Sequence, residues 1–450
     1  MDQEATASTA PVEPKQRSAQ SALMLALSGR FGLLLLDSLT GILCARTLRP
    51  LGRGELAAMI LWPVFLCQAF TLGVPSALIY NMKSKPERSR SIVAGAFLLA
   101  ILASTITIAF GFTILPHWLT HYSHDVVQHA KWFMFAAPLS MAVLLFRSVW
   151  EANNQFGKSA LSLVMTRILT LCFLIGTLSL HELTSIKAAY IYLLTGIPAI
   201  IWMVWEIFPL ADWHIGRMLE ATRDMVLYGM RSYGIDLCGA LSQYIDQALV
   251  LGMLSASQMG SYTVCLSLSR ILTAVALAAS TVLFPRTVGA TPRQAVLTAM
   301  RTQFVVTIIA GFGAICMMLL GTFALRTLYG HEYAAAAGTL KILIVEALLS
   351  GFITIMSQPF MAMGRPGVVT MLQIAGLLFS IPMILYLVPR YGTEGACIAL
   401  VLSAALRIVL VGFSYRFILP GTIDWRHDPA VIVREFRQQL HARLRRTKIA

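Results

Sequence analysis

Apolar runs of about 20 residues or more follow one another along this 450-residue chain, separated by short polar breaks. Each run, coiled as a helix rising 1.5 Å per residue, is long enough to cross the roughly 30 Å hydrocarbon core of a bilayer. The pattern predicts twelve spans, at 21–48, 55–80, 91–114, 128–149, 159–180, 187–208, 223–250, 258–283, 302–326, 336–361, 367–388 and 394–418. The expected fold is an all-α polytopic membrane protein whose two ends share one side. Pro63, Pro75, Pro138, Pro198, Pro359 and Pro382 fall within or at the ends of spans, where they predict kinks if neighbours satisfy the freed backbone groups.

Composition agrees with this pattern. Hydrophobic residues make up 57% and charged residues 12% of the chain, with a mean hydropathy of +0.72, against about 25% charged in an ordinary soluble domain. Residues 1–20 are polar and are expected to be disordered. They do not read as a signal peptide, because the apolar run that follows is too long and lacks a small-residue cleavage site. Seven cysteines lie singly in the runs, which points to neither a disulfide framework nor a zinc site.

The formal net charge of +14 would direct a soluble protein towards nucleic acid, but here the positive-inside rule accounts for it. Counting loops, tails and span ends together, 21 Lys and Arg fall on the side of the chain ends and seven on the other, so both termini are expected in the cytoplasm. Residues 428–446 place Val433, Phe436, Leu440 and Leu444 on one face of a basic helix, the signature of a segment lying on an anionic leaflet.

Charge inside the spans needs a reason, since each buried base costs about 3 kcal/mol or more on insertion scales. Arg30, Arg147, Arg167, Arg231, Arg270, Lys341 and Arg407 lie there, with Asp37, Asp236, Asp246 and Glu346 as acids. One reading pairs them into ion pairs that lock helices together. The other uses the excess of bases to line a cavity for an anion. Arg147 and Lys341 sit close enough to span ends to snorkel. Arg30 and Asp37, seven positions apart, share a helical face. Asp236, Gln243, Asp246 and Gln247 cluster on a sector of about 100° of the seventh span, a stripe suited to water, sugar or a polar helix seam.

The chain also reads as duplicated. Residues 145–169 parallel 355–378, and 180–194 parallel 388–402, each pairing span n with span n+6. An even number of spans per half gives a parallel repeat about an axis along the membrane normal, with a cavity between the halves. The expected units are a six-helix bundle at 21–208, a cytoplasmic linker at 209–222, a second bundle at 223–419 and a basic tail at 420–450. Arg30 and Arg231 are then equivalents facing each other, a pair whose forked donors match phosphate.

Weaker signals carry less. "FGKSA" (156–160) resembles a phosphate loop but lacks the earlier glycine and the strand, and reads as a short turn. His117, His121, His124, Asp125 and His129 have an irregular spacing that suits a solvated or pH-sensitive loop better than a metal site. No catalytic triad or paired-carboxylate geometry stands out.

"RTLRPLGRGELAAMILWPVFLCQAFTLGVPSALIY" (46–80), with its Leu51, Gly52, Gly54 and Glu55 core, resembles the second span of bacterial polysaccharide exporters. These are the O-antigen and exopolysaccharide flippases of the multidrug/oligosaccharidyl-lipid/polysaccharide superfamily. Gly260 and Tyr262 of "MGSYTVC", the arginine-early, aspartate-late stretch 228–250 and "MAMGRPG" (361–367) are similar to further pieces of that family, and together they cover about 20–420. The resemblance implies two six-helix bundles around a central cavity. It also implies turnover of a polyprenyl-diphosphate-linked oligosaccharide across the inner membrane by alternating access, with no enzymatic activity and no cofactor. On that reading Arg30, Arg231, Arg270 and Arg407 hold the diphosphate and the stripe of Gln243 and Gln247 meets sugar. Asp37, Asp236 or Asp246 then binds a coupling cation, H+ or Na+, or sets the geometry of the arginines. Membrane lipids and polysaccharide-assembly proteins are the expected partners, and nucleic acid is not. Twelve spans depart from the peptidoglycan-precursor branch, which has two more. A cation-coupled multidrug exporter of the same fold favours more acids than bases. A polysaccharide polymerase or ligase needs a larger outer loop than 115–127.

Overall fold

The structure, a computed structural model, describes the backbone of residues 16–419 and the side chains of 32–419 apart from 231, 232, 235 and 236. The side chains of Arg30, Arg231 and Asp236, and the whole 420–450 tail, lie outside the described residues.

Every described long segment is helical. The helices are α1 (Gln16–Ala69), α2 (Val74–Ser84), α3 (Ser89–Trp118), α4 (His124–Phe133), α5 (Ala137–Ala152), α6 (Phe156–Ser179), α7 (Ser185–Leu194), α8 (Ile197–Ile207), α9 (Ile215–Met253), α10 (Ala256–Thr287), α11 (Pro292–Ala324), α12 (Ala337–Met356), α13 (Gln358–Ala362) and α14 (Pro366–Ile418). Nine described stretches are long and apolar enough to cross a membrane. Two of these, within α1 and α14, each hold a pair of spans, and the more polar α9 supplies the twelfth. The protein is a multi-pass membrane protein of twelve spans. Both described chain ends lie at one face, called here the terminal face. The opposite face is called distal.

The turn inside α1 is made at Arg49, whose φ of 58° and ψ of 179° break the helix just before Pro50, a residue without an N–H to continue it. The turn inside α14 is made at Gly392, whose φ of 56° and ψ of −133° suit a residue without a Cβ. The linker expected at 209–222 is helical from Ile215 onward, as the start of α9.

Prolines divide four of the six spans that run from the distal to the terminal face. Pro75 opens α2, Pro138 opens α5, Pro198 opens α8 and Pro359 opens α13, because the first helical turn has no use for the N–H that proline lacks. Ahead of Pro75 the chain bends through Leu72 (φ 51°) and Gly73 (φ 70°). The Ala69 carbonyl released by this bend accepts a hydrogen bond from the Tyr233 hydroxyl of α9 at 2.6 Å, so the break costs no unpaired acceptor there.

Three buried clusters give the molecule its shape. One joins the distal parts of both halves, running from Cys44, Leu56 and Trp62 of α1 through Leu251 and Tyr262 to Leu343 and Cys397. The other two are separate. One packs the terminal parts of α2, α3, α5 and α8 with the start of α9, around Leu78, Met141 and Trp150. The other packs those of α10 to α14, around Val296, Phe360 and Tyr415. The halves therefore share one core at the distal face and part into two towards the terminal face.

Candidate functional site

The distal junction depends on two glycines. A Cβ on Gly54 would run into the Ala256 carbonyl, and one on Gly260 into the Pro50 carbonyl, so only bare backbone lets the second and eighth spans approach this closely. Glu55 accepts a hydrogen bond from Ser185 at 2.6 Å. Around them, Tyr333 donates to the Ala45 carbonyl at 3.1 Å, Trp118 to the Ala248 carbonyl at 2.8 Å and Arg46 to the Thr327 carbonyl at 3.3 Å. Arg49 faces Glu332 at 3.5 Å. The Leu-Gly-x-Gly-Glu and Gly-x-Tyr pieces thus form a seam that closes the distal side.

Towards the terminal face lies a cavity of about 530 Å3, built from α9, α10, α12 and α14, with Leu34 of α1 at its edge. It sits within the second half, whereas the repeat predicts one between the halves. Gln243 and Asp246 reach it from α9, Arg270 from α10, Glu346 from α12, and Gln373 and Arg407 from α14. Helical spacing explains the convergence on α9, where Ser242, Gln243, Ile245 and Asp246 occupy adjoining positions on one side of the helix.

Arg407 is placed by its neighbours. Its side chain lies across Gly376, where an added Cβ would come within 2.6 Å of its Cδ, and Ser403 donates to the Gly376 carbonyl at 2.9 Å. Ser350 donates to Glu346 Oε1 at 2.5 Å. Asp246 Oδ1 and Arg407 Nε are buried without a hydrogen-bond partner. No ion pair within 4.0 Å joins the two arginines to the two carboxylates among the described residues. The cavity therefore presents both signs of charge with donors and acceptors left over, which fits a ligand rich in hydroxyl groups. It balances two bases against two acids, so the basic excess counted over the spans is not found among its described residues.

The remaining candidates divide. Asp37 is outside the cavity lining, and its Oδ1 lies 2.9 Å from Nε of Arg167 on α6. Gln247 lines a different pocket, of about 240 Å3, between the halves on the distal side. Arg147 is held by Ser159 at 3.0 Å and Glu151 at 3.4 Å, beside a pocket of about 410 Å3 that opens between α1, α2, α5 and α9 and meets the cavity at Gln243. "FGKSA", expected as a short turn, instead opens α6, and Lys158 in its first turn pairs with Glu206 at 2.6 Å. No His, Cys, Asp and Glu cluster able to hold a metal occurs among the described residues.

Sequence reasoning missed Glu346 as a cavity residue, treating it only as a partner for arginines, and it left out Gln373. It also placed Arg53 in a loop, yet Arg53 lies on the first turn after Pro50 and lines the distal pocket. Its three- and four-residue spacing with Leu56, Ala57 and Ile60 was the available signal.

Residues 19–289, more than half of the sequence, match the model of the family described as polysaccharide biosynthesis protein. The chain belongs to that family. Its fold is similar to that of a lipid II flippase MurJ in an inward closed conformation, with a TM-score of 0.73 and 14% identity over 87% of each chain. It is also similar to an inward-facing multidrug resistance MATE transporter of the MOP superfamily, with a TM-score of 0.70 and 13% identity over 87% of this chain and 96% of that one. An outward-facing MATE conformation gives a TM-score of 0.58 at 14% identity, over 88% and 94% of the two chains. No curated protein matches the sequence. At these identities the likeness is one of fold, a two-lobed arrangement of twelve helices.

Proposed function

We propose that the protein is a flippase that carries a polyprenyl-diphosphate-linked oligosaccharide across the inner membrane for surface polysaccharide assembly. The observation that carries this reading is the cavity of a polysaccharide biosynthesis family member, in which Arg270, Arg407, Asp246, Glu346 and two glutamines surround space of a size usual for ligands. Glutamine amides and serine hydroxyls match sugar hydroxyls, and arginines tolerate the charged end of the substrate.

The orientation follows from charge. With 21 bases in the loops, tails and span ends of the terminal side against seven on the distal side, the terminal face is cytoplasmic on this reading and the lobes part towards the side where such substrates are made. Closing that crevice while separating the Gly54–Gly260 seam converts the arrangement into one open to the periplasm. Arg30 and Arg231 join the substrate path on this reading, with Asp236 and Asp246 as groups for a coupling cation, H+ or Na+. Asp37 acts with Arg167 as a neutral pair fixing α6 against α1.

The two carboxylates of the cavity favour one alternative, a cation-coupled multidrug exporter of the same fold. Deleting the gene separates the readings. Accumulation of lipid-linked sugar in the cytoplasmic leaflet supports the flippase, whereas unchanged surface polysaccharide with drug hypersensitivity refutes it.

A further inference from the structure

On α2, Ser76, Tyr80 and Lys83 are exposed along one face, while Ala77, Leu78 and Met82 are buried in the first bundle. Ser76 lines the pocket of about 410 Å3 that meets the central cavity at Gln243. The polar stripe therefore runs from that pocket towards the terminal face, with Tyr80 one turn beyond Ser76. Gly229 brings α9 to the same place. An added Cβ there would come within 2.5 Å of the Leu72 carbonyl oxygen, so bare backbone lets α9 lie against the bend ahead of α2. Tyr228, the preceding residue, stacks on Tyr80 with ring centroids 4.2 Å apart and planes 12° from parallel. Tyr80 is still 51% exposed, so the stack leaves aromatic surface open at the mouth of the pocket.

Behind this stack the pocket is polar but carries no net charge. Its one arginine, Arg147, donates from Nε to Ser159 at 3.0 Å and lies 3.4 Å from its one carboxylate, Glu151, which also accepts from Ser159 at 2.8 Å. Gln68 and Gln243 both donate to the Tyr244 hydroxyl, at 3.1 and 3.2 Å, which leaves their side-chain carbonyls as acceptors. A pyranose ring matches both parts. Its C–H face carries partial positive charge that suits the negative face of an aromatic ring, and its hydroxyls donate and accept as amides and serines require. We infer that the pocket and the tyrosine stack form a subsite for an uncharged sugar, in which one pyranose lies on Tyr80 and its neighbour enters the pocket to meet Gln68, Ser76 and Gln243. An anion gains little from the closed Arg147–Glu151 pair, so charged parts of the substrate are left to the second half. That the sugar belongs to a lipid-linked glycan rests on the flippase reading; sugar binding by the pocket does not. The stack stands at the terminal mouth, so it selects the glycan before the ligand reaches Gln243.

The test uses the full-length protein in phosphatidylcholine nanodiscs and reads saturation-transfer NMR to the methyl pyranosides of glucose, galactose, mannose and N-acetylglucosamine, with glucuronic acid as the charged counterpart. At least one methyl pyranoside should receive transfer at least fivefold stronger than glucuronic acid does. Tyr80→Ala and Tyr228→Ala are each expected to cut that transfer at least fivefold, and Tyr80→Phe, which keeps the ring, less than twofold. Tyr391→Ala, which removes an exposed tyrosine at the distal turn of α14, should leave it within twofold. Tyrosines at a membrane interface also anchor spans, and a purely anchoring Tyr80 leaves sugar binding untouched. Unchanged transfer in Tyr80→Ala, no transfer to any neutral sugar by the unaltered protein, or equal transfer to glucuronic acid overturns the proposal. If Tyr80→Ala does not fold, Ser76→Trp fills the pocket from an exposed position and must cut transfer at least fivefold; unchanged transfer refutes the subsite. Failure of the flippase reading looks different, because gene deletion then leaves surface polysaccharide intact while sugar binding still depends on Tyr80. If deletion blocks export but Tyr80→Ala binds sugar and exports normally, the flippase stands and the subsite falls.

Discussion

Replacing Gly260 by Ala should hold the transporter away from its distal-closed state. The added methyl would meet the Pro50 carbonyl carbon at 2.8 Å and the Gly54 amide nitrogen at 2.9 Å. Both are backbone atoms, so no rotamer change relieves the overlap and α10 must move off the second span. Overpacking of this kind costs about 1–3 kcal/mol. The obstacle lies across the junction of the two halves, so the cost falls on the closed seam and vanishes once the seam parts. The equilibrium then shifts towards the distal-open state by about 5- to 150-fold. A single cysteine at Thr263, in the distal pocket and in a background without the seven native cysteines, reports this as the rate of labelling by a membrane-impermeant maleimide from outside. Gly260→Ala is expected to raise that rate at least fivefold and Gly54→Ala to do the same. The double variant should fall short of the product, since both act on one contact. Gly412→Ala, where an added methyl meets nothing within 4 Å, should leave it unchanged. Labelling of folded Gly260→Ala within twofold of the parent would refute the reasoning.

Gly376→Ala should displace Arg407, because the new Cβ meets its Cδ at 2.6 Å. Loss of one hydrogen bond from a charged group is worth about 1.5–3 kcal/mol, so export of lipid-linked sugar in proteoliposomes should fall about tenfold or more while expression and melting temperature hold; unaltered export rules out the role given to Arg407. Asp37→Asn should lower thermal stability by about 1 kcal/mol or less, because the pair with Arg167 is part-exposed, and the Asp37→Asn, Arg167→Gln double variant should be no less stable than the worse single one. If Asp37→Asn instead abolishes the sodium or proton dependence of export, the pair is a coupling site. Lys85 lies 2.6 Å from Asp224 where the turn after the second span meets α9. Lys85→Asp should destabilise that contact by about 0.5–1 kcal/mol, and adding Asp224→Lys should restore it; failure of the swap in thermal melts shows that the pair contributes nothing.

Much of the architecture was legible because transfer of apolar side chains from water acts on each span separately. The span expected at 91–114 falls inside Ser89–Trp118 and that at 159–180 matches Phe156–Ser179 nearly end to end. Pro75, Pro138, Pro198 and Pro359 marked broken spans as well, since the missing N–H acts within one turn, whereas Pro63 and Pro382 lie inside α1 and α14. What a single helix does not encode is its neighbour. Asp37 was assigned a face with Arg30 by spacing along one helix, but its partner Arg167 comes from α6, and only packing brings the two together. Counting charge over all spans failed for the same reason, because the total says nothing about its distribution among cavities.

That distribution breaks the symmetry of the repeat. A duplicated fold supplies two similar bundles, yet four described charged groups, Asp246, Arg270, Glu346 and Arg407, converge in the second bundle. In the first, Arg147 is tied to Glu151 and Arg167 to Asp37. Arg147 and Arg167 of the first half thus have carboxylates close at hand, while the second leaves Asp246 and Arg407 with unpaired atoms beside open space. A ligand that gains from both signs of charge is therefore drawn into the second half. From the first half, Arg53 stands at the seam where the two halves meet.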